Sequence, residues 1–260
     1  MDTPMPPRGE TCAIAVMAKA SVAGRAKTRL APLVSAEGAA ALNTCFLRDI
    51  AENLIAASAL ANITGVMAYA PAGSESFFRS IIPQGIGLLE TVAPTFGGCL
   101  FGAASRLLDA GNAAVCLLNS DSPTLPTAYL ITAATLLALP GDRVVLGPSV
   151  DGGYYLLGLK APHRRLFEDI DWSTERVARQ TLDRAAEIGL PVHLLPDWYD
   201  VDDADGLRIL AREVLHGEPF RASGHRPPAA AASRRELARL FAETDLAAKL
   251  YPEAAASRVA

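Results

Sequence analysis

Four short segments carry side chains whose types and spacing could do chemistry. The first runs from Lys19 to Arg29 and holds Lys19, Arg25, Lys27 and Arg29, four cations within eleven residues. Such a loop can present ammonium, guanidinium and backbone N–H groups to phosphate oxygens. Its spacing is not that of a P-loop, since G-x-x-x-x-G-K-[ST] is absent. The bland alternative is a solvated basic loop. The second segment, Asn119-Ser120-Asp121-Ser122-Pro123, follows a wholly apolar run. A carboxylate appearing there could hold Mg²⁺ or Mn²⁺ against a diphosphate, because hard cations take oxygen ligands. An Asp or Ser that caps the next helix is the alternative.

The third segment contains Asp151-Gly152-Gly153-Tyr154-Tyr155 between two apolar stretches. Asp-Gly there is first of all a hairpin turn. Two glycines beside two tyrosines would also let a ligand approach the backbone between aromatic walls. The fourth, Trp198-Tyr199-Asp200-Val201-Asp202-Asp203, packs three carboxylates into four residues. They repel one another unless a cation or a helix N-terminus compensates. Asp202 or Asp203 could cap a following helix. Asp200 and Asp202 alternate as on a strand, so both would face one side and could form the second half of a metal site.

Other chemistries find little support. His163, His193, His216 and His225 are scattered. G-x-S-x-G, H-E-x-x-H and G-x-G-x-x-G are all absent, which argues against the usual serine hydrolase, zinc protease or dehydrogenase. Cys12, Cys45, Cys99 and Cys116 form no C-x-x-C pair. They read as free thiols of a reducing cytoplasm rather than a zinc site.

The elements that must position these segments are legible in the hydrophobic pattern. Strands are predicted over 12–18, 64–70, 87–90, 113–118, 144–146, 154–159 and 192–195. Helices are predicted from an N-cap at Ser35 to residue 57, after Ser74, over 98–110, after Pro126, from Ser173 onward and over 207–215. Such alternation predicts an α/β fold with a Rossmann-like mixed, mainly parallel sheet and helices on both faces. Ligands of these sheets bind at the C-terminal ends of strands, which singles out the loop after the first strand and Asn119-Ser120-Asp121. Residues 1–11 read as a loose tail, 12–220 as one domain, and 221–260 as an Ala/Pro-rich linker with a C-terminal helix. That helix, over 234–250, is expected to be an appendage that packs weakly or on a partner, with self-association as one outcome.

The bulk properties agree. A chain of 260 residues that is 50% hydrophobic and 20% charged can bury a large core and is not disordered. The formal net charge of −4 argues against nucleic acid polymers and anionic membrane surfaces as main partners. It leaves room for a small phosphorylated ligand. No apolar run reaches the length of a membrane span and no secretory signal is seen, so a cytoplasmic location is expected.

Taken in order, these motifs resemble a known pattern. A strand is followed by a basic loop ending Lys27-Thr28-Arg29-Leu30, then Ser120-Asp121-Ser122-Pro123. Next come Gly147-Pro148-Ser149-Val150-Asp151-Gly152-Gly153-Tyr154-Tyr155-Leu156-Leu157-Gly158-Leu159, Trp172-Ser173-Thr174 and Asp200-Val201-Asp202. The order resembles the bacterial glycosyltransferase-like family associated with radical-SAM and selenium-domain gene clusters. That family lies within the nucleotide-diphospho-sugar transferases of GT-A fold. The resemblance covers residues 13–215. The segment Thr95-Phe96-Gly97-Gly98-Cys99-Leu100 departs from the family's Gln and Leu-Gly-Glu/Arg stretch.

The resemblance implies a metal-dependent transferase using an activated nucleotide and a small-molecule acceptor, with Mg²⁺ or Mn²⁺ as cofactor. It implies that Lys19, Arg25, Lys27, Arg29 and Ser120 face the nucleotide. Gly152, Gly153, Tyr154, Trp172 and Ser173 would border the sugar or acceptor. Asp121 and Asp202 would hold the metal, and Asp151 and Asp200 would be the catalytic carboxylates. Glycosyl transfer from a nucleotide-sugar is the first reading. The basic loop also resembles that of phospholactate guanylyltransferases, so nucleotidyl transfer to a phosphorylated small molecule, with release of pyrophosphate, is the second. A nucleotide-binding module without turnover is the third.

Overall fold

Strand β1 (Cys12–Lys19) sets the layering of the molecule. Cys12, Ile14 and Val16 face one core, whereas Ala13 and Ala15 face another, because side chains on a strand alternate. A strand buried on both faces needs helices on both sides. The computed structural model describes residues 9–221 and 228–252. The expectations for 1–8, 222–227 and 253–260, in the tail, the linker and the C-terminal end, lie outside the described residues.

The sheet is completed by β2 (Ile63–Ala70), β3 (Gly87–Glu90), β4 (Ala114–Leu118), β5 (Val144–Pro148), β6 (Tyr154–Leu159) and β7 (Val192–Leu194). Their order is β3-β2-β1-β4-β6-β5-β7. Every neighbouring pair is parallel except those made by β6, which runs antiparallel to both β4 and β5. The expected mixed, mainly parallel α/β sheet is therefore observed. The chain first moves outward from β1 to β2 and β3, then returns to place β4 on the other side of β1. Diverging connections of this kind open a crevice beyond the C-terminal ends of the two central strands.

Helices α1 (Ala31–Ser58) and α4 (Thr127–Ala138) cover one face of the sheet with Leu42, Phe46, Leu130 and Leu137. Helix α3 (Phe96–Asp109) covers the other with Leu100, Ala103 and Leu107, joined by α5 (Val177–Glu187) through Ala185. The short α2 (Glu75–Ile81) buries Phe78, and α6 (Ala204–Ala211) buries Leu207 and Leu210.

Three local expectations are refined. Ser35 does cap a helix, its Oγ accepting from the Gly38 N–H at 3.2 Å, but a first turn carrying Pro32 precedes it and the axis breaks at Ser35 (φ 70°). Helix α5 starts at Val177 rather than Ser173, because Ser173 sits in the left-handed region (φ 66°), which a helix cannot continue through. The single helix expected over 234–250 is two, α7 (Ala231–Glu243) and α8 (Leu246–Leu250). Thr244 between them is extended, and its Oγ1 accepts from the Leu246 N–H at 3.2 Å.

These last helices are not a loose appendage. Leu237, Leu240, Leu246 and Leu250 are all buried in the core that contains α1. Asp49, buried within α1, accepts from the Ala232 and Ser233 N–H groups at 2.8 and 2.7 Å. A carboxylate there satisfies the open end of α7 and opposes its dipole. The apolar stripe thus covers the outer face of α1 in the same chain.

Candidate functional site

The loop between β1 and α1 is held by its own backbone and by α1. Arg25 and Ala26 N–H groups return to the Val22 carbonyl at 2.9 and 3.0 Å. Asn43 of α1 donates to the Ser21 hydroxyl at 2.8 Å. Ala26 and Leu30 are buried, and these anchors leave the cations between them to line a cleft. Lys27 adopts a left-handed backbone (φ 47°), unusual for a residue with a side chain.

The acidic segment after β7 is anchored as firmly. The Trp198 N–H donates to the Pro148 carbonyl at 3.1 Å, and the Val150 N–H donates to the Trp198 carbonyl at 3.0 Å. Trp198, Tyr199 and Val201 are buried. Ser122 donates to the Tyr199 carbonyl at 2.9 Å, and the Val201 N–H donates to the Asp121 carbonyl at 2.9 Å. This stitches the end of β4 to the acidic segment. Asp203 caps α6 by accepting from the Asp205 and Gly206 N–H groups, both at 3.0 Å. With Val201 buried between them, Asp200 and Asp202 both line the cleft.

The cleft lies at the crevice between β1 and β4 and has two connected compartments. The basic compartment, about 450 Å³, is lined by Lys19, Arg25, Lys27, Arg29, Asn43 and Ser120. The inner compartment, about 430 Å³, is lined by Asp151, Gly153, Glu175 and Asp200, with Leu100, Leu117, Tyr154, Trp172 and Val177 as apolar walls. Arg29, Phe96, Asn119, Asp121, Ser173 and Asp202 border both. Phe96 is half exposed and meets Trp172 edge to face, ring centres 5.3 Å apart.

Lys27 stands at the seam. Its Nζ lies 2.6 Å from Asp121 Oδ1 and 2.8 Å from Asp202 Oδ1, with only 6% of the side chain exposed. Burial alone would lower the Lys27 pKa, but the charges of Asp121 and Asp202 and their hydrogen bonds outweigh it, and the net shift is upward. The ammonium is thus held charged between two carboxylates. Arg29, largely exposed, approaches Asp202 Oδ2 at 3.8 Å. Asp200 is pushed up to about 7, first by burial and then by the charges of Asp151, Asp202 and Asp121.

The residues singled out in the sequence thus come together, with two placed differently from their companions. Lys27 is engaged by Asp121 and Asp202, whereas Lys19, Arg25 and Arg29 line the basic compartment in no such doubly bridged pair. Gly152 does not line either compartment. It is in the left-handed region (φ 91°), and a Cβ there would collide with the Glu175 backbone. It fixes the turn against the 172–176 loop, while Gly153 lines the inner compartment and donates to Asp151 Oδ1 at 2.9 Å. Tyr154 gives the cleft its ring. Its hydroxyl is sunk in the wall with no hydrogen-bond partner among the described residues, and burial pushes its pKa up.

Phe96, Asn119 and Glu175 border the cleft and were not among the predicted site residues. Asn119 directly precedes Ser120-Asp121 at the strand end, so its place was available from the motif. Phe96 starts α3 immediately after the Thr95 cap, a signal for a helix end but not for a cleft wall. Glu175 had no signal, since its position depends on the left-handed turn at Ser173.

A divalent cation is compatible with the donor chemistry. Asp121 and Asp202 offer hard carboxylate oxygens, and Lys27 engages only Oδ1 of each. Among the described residues no group of three or more His, Cys, Asp or Glu side chains converges as a metal shell. Mg²⁺ commonly needs only one or two carboxylates when substrate phosphates complete its coordination. No helix among the described residues is long and apolar enough to cross a membrane.

The chain is similar in sequence and fold to several known proteins. Residues 53–174 match the profile of a family described as uncharacterised and conserved in bacteria, DUF2064. No curated protein matches the chain. A crystal structure from Desulfovibrio desulfuricans G20, provisionally described as a nucleotide-diphospho-sugar transferase, is 27% identical. It superposes with a TM-score of 0.74 over 90% of this chain and 96% of its own. Two cytidylyl-transfer proteins share the fold at lower identity. A CMP:2-keto-3-deoxy-manno-octonic acid synthetase complexed with CTP is 11% identical, with a TM-score of 0.52 over 80% of this chain and all of its own. A cytidylyltransferase from Leptospira borgpetersenii is 13% identical, with a TM-score of 0.50 over 91% and 96%.

Proposed function

We propose that the chain is a transferase acting on an activated nucleotide, and that its reaction is glycosyl transfer from a nucleotide-sugar to a small acceptor. The observation that carries this reading is the juxtaposition of opposite charge. Lys19, Arg25 and Arg29 line one compartment, carboxylates line the next, and Lys27 joins them at the seam. The D. desulfuricans relative, whose provisional description names a nucleotide-diphospho-sugar transferase, supports the class. The motif resemblance to the radical-SAM and selenodomain-associated glycosyltransferase-like family supports the choice of sugar over nucleotidyl transfer.

In this reading the basic compartment receives the diphosphate of the donor, with Ser120 and Asn119 beside it. Asp121 and Asp202 hold Mg²⁺ or Mn²⁺. That cation, when bound, supplies positive charge to the leaving phosphates. Trp172, Ser173 and Gly153 border the sugar or the acceptor. The acceptor oxygen bonds to the anomeric carbon and the bond from that carbon to the phosphate oxygen breaks. The nucleoside diphosphate leaves with the electron pair. The acceptor proton passes to a carboxylate, the role we assign to Asp151 or Asp200, which line the inner compartment outside the Lys27 bridge. Nucleotidyl transfer, with pyrophosphate as leaving group, is the second reading. The density of cations in the basic compartment favours it, since a triphosphate carries more charge than a sugar diphosphate.

The two are separated by incubating the full chain with Mg²⁺, a panel of nucleotide-sugars and the four nucleoside triphosphates, and following thermal stabilisation. Stabilisation by nucleotide-sugars that is lost in Arg25→Ala with Arg29→Ala is the expected result. Stabilisation by triphosphates alone would replace the first reading with the second. No response to either class would remove both.

A further inference from the structure

The two compartments differ in charge by more than a nucleotide site requires. Five carboxylates, Asp121, Asp151, Glu175, Asp200 and Asp202, border the inner compartment, against the single guanidinium of Arg29. Lys27 bridges Asp121 and Asp202 and offsets one of their two charges. Among the described residues Asp151 and Glu175 enter no ion pair, so no cationic side chain offsets their charge beside this compartment. A phosphate monoester placed there would meet like charge from the half-buried Asp200 and from the exposed Asp151 and Glu175, a repulsion that solvent weakens without reversing. The remaining walls are apolar. Phe96 keeps half its surface exposed at the cleft with its ring edge-on to Trp172, so a flat apolar body lying against it would remove that surface from water.

We infer that the acceptor bound in the inner compartment is unphosphorylated, and is an alcohol or amine, neutral or cationic, carried on an apolar ring-like body. The inference rests on the transferase reading for the word acceptor, and it deepens that reading. An unphosphorylated acceptor suits glycosyl transfer to O–H or N–H. It does not suit nucleotidyl transfer to a phosphate nucleophile, which would need cations where this compartment has carboxylates.

The test uses three probes with one ring and different charge: benzylamine, benzyl alcohol and benzyl phosphate. Binding to the full chain is measured by saturation-transfer NMR and by tryptophan fluorescence, with excess pyrophosphate present to occupy the basic compartment. Benzylamine is expected to bind at least about tenfold more tightly than benzyl phosphate, with benzyl alcohol between them. Trp172→Ala, at the inner wall only, should weaken amine and alcohol about fivefold or more. Glu175→Gln, which removes one charge outside the assigned catalytic carboxylates, should lower the amine-to-phosphate ratio while leaving the alcohol unchanged. Tight binding of benzyl phosphate, binding indifferent to Trp172→Ala, or no binding of any probe would each overturn the inference. Failure of the transferase reading has a separate signature, in which neither nucleotide-sugars nor triphosphates compete with pyrophosphate for the Arg25 and Arg29 compartment.

Discussion

Removing the ammonium of Lys27 is the sharpest test of how this cleft is held together. Nζ lies within 2.8 Å of both Asp121 and Asp202, and the side chain is 6% exposed. At an effective dielectric of ~20, each contact is worth roughly 6 kcal/mol of gross attraction, which desolvation largely offsets. Removing one partner of a buried pair is different, because it leaves the opposite charge uncompensated, at a cost of about 3–5 kcal/mol. Asp121 and Asp202 keep 28% and 38% of their side chains exposed, so water recovers part of that cost. Lys27→Met is therefore expected at the lower end, about 3 kcal/mol. Urea denaturation at pH 7.5 without divalent ions measures it, followed by Asp121→Asn and Asp202→Asn in the Lys27→Met background. Neutralising the carboxylates should restore stability, giving a coupling energy of roughly 2 kcal/mol or more in the cycle. A coupling below about 0.5 kcal/mol would show that the three groups act independently and that the bridge is incidental.

Four further outcomes are expected of the same structure. Asp200 is raised to about 7, so between about pH 4 and 7 the native state holds a proton that the unfolded chain has released. Stability of the metal-free protein should therefore fall as pH rises through that window, by up to about 4 kcal/mol from this group, and Asp200→Asn should flatten the profile. An unchanged slope in Asp200→Asn would refute the assignment. Cys45 is pushed up to about 11 by burial, then by Glu236 and Asp49. Its alkylation by iodoacetamide at pH 8, followed by mass spectrometry, should be about 100-fold slower than that of a thiol at the ordinary value. Leu237→Ala should cost about 2–5 kcal/mol in a single unfolding transition, since α7 shares the core of α1; two transitions or no change would contradict that packing. Gly152→Ala should destabilise by roughly 2 kcal/mol or more, from the left-handed backbone and the collision with Glu175; circular dichroism melting reads it out, and an unaltered melt would refute the constraint.

How much of this was legible in the sequence depended on the range of the determining interactions. Strand β4 is five buried apolar residues followed directly by Asn119-Ser120-Asp121, and the next helix begins just past Pro126, so both positions announce themselves locally. Val201 buried between Asp200 and Asp202 is likewise a period-two pattern that puts both carboxylates on one side. The strand-end rule then placed the basic loop and Asp121 on one edge without any knowledge of contacts. The Lys27 bridge was not legible, because it joins residues 94 and 175 positions apart whose meeting depends on the left-handed turn at Lys27 and on the segment tied to β5. Nor was the docking of α7. The Asp49 carboxylate that caps it sits inside another helix, where a charged residue reads as solvent-facing until its partners are known.

The position of Lys27 explains why a basic loop and an acidic cluster can share one crevice without collapsing onto each other. Were all four cations of the loop paired with the carboxylates, nothing positive would remain for phosphate. Were none paired, Asp121 and Asp202 would repel both an incoming diphosphate and each other. The structure uses one ammonium to join the halves and keeps Lys19 and Arg25 on the far side of it, with Arg29, 3.8 Å from Asp202, at the border. Asp151, Glu175 and Asp200 remain on the near side with the exposed ring of Phe96. Charge is thus segregated along the cleft, and under the proposed function it would orient a substrate pair that is anionic at one end and uncharged or cationic at the other before any specific contact forms. The formal net charge of −4 averages over this arrangement and conceals it.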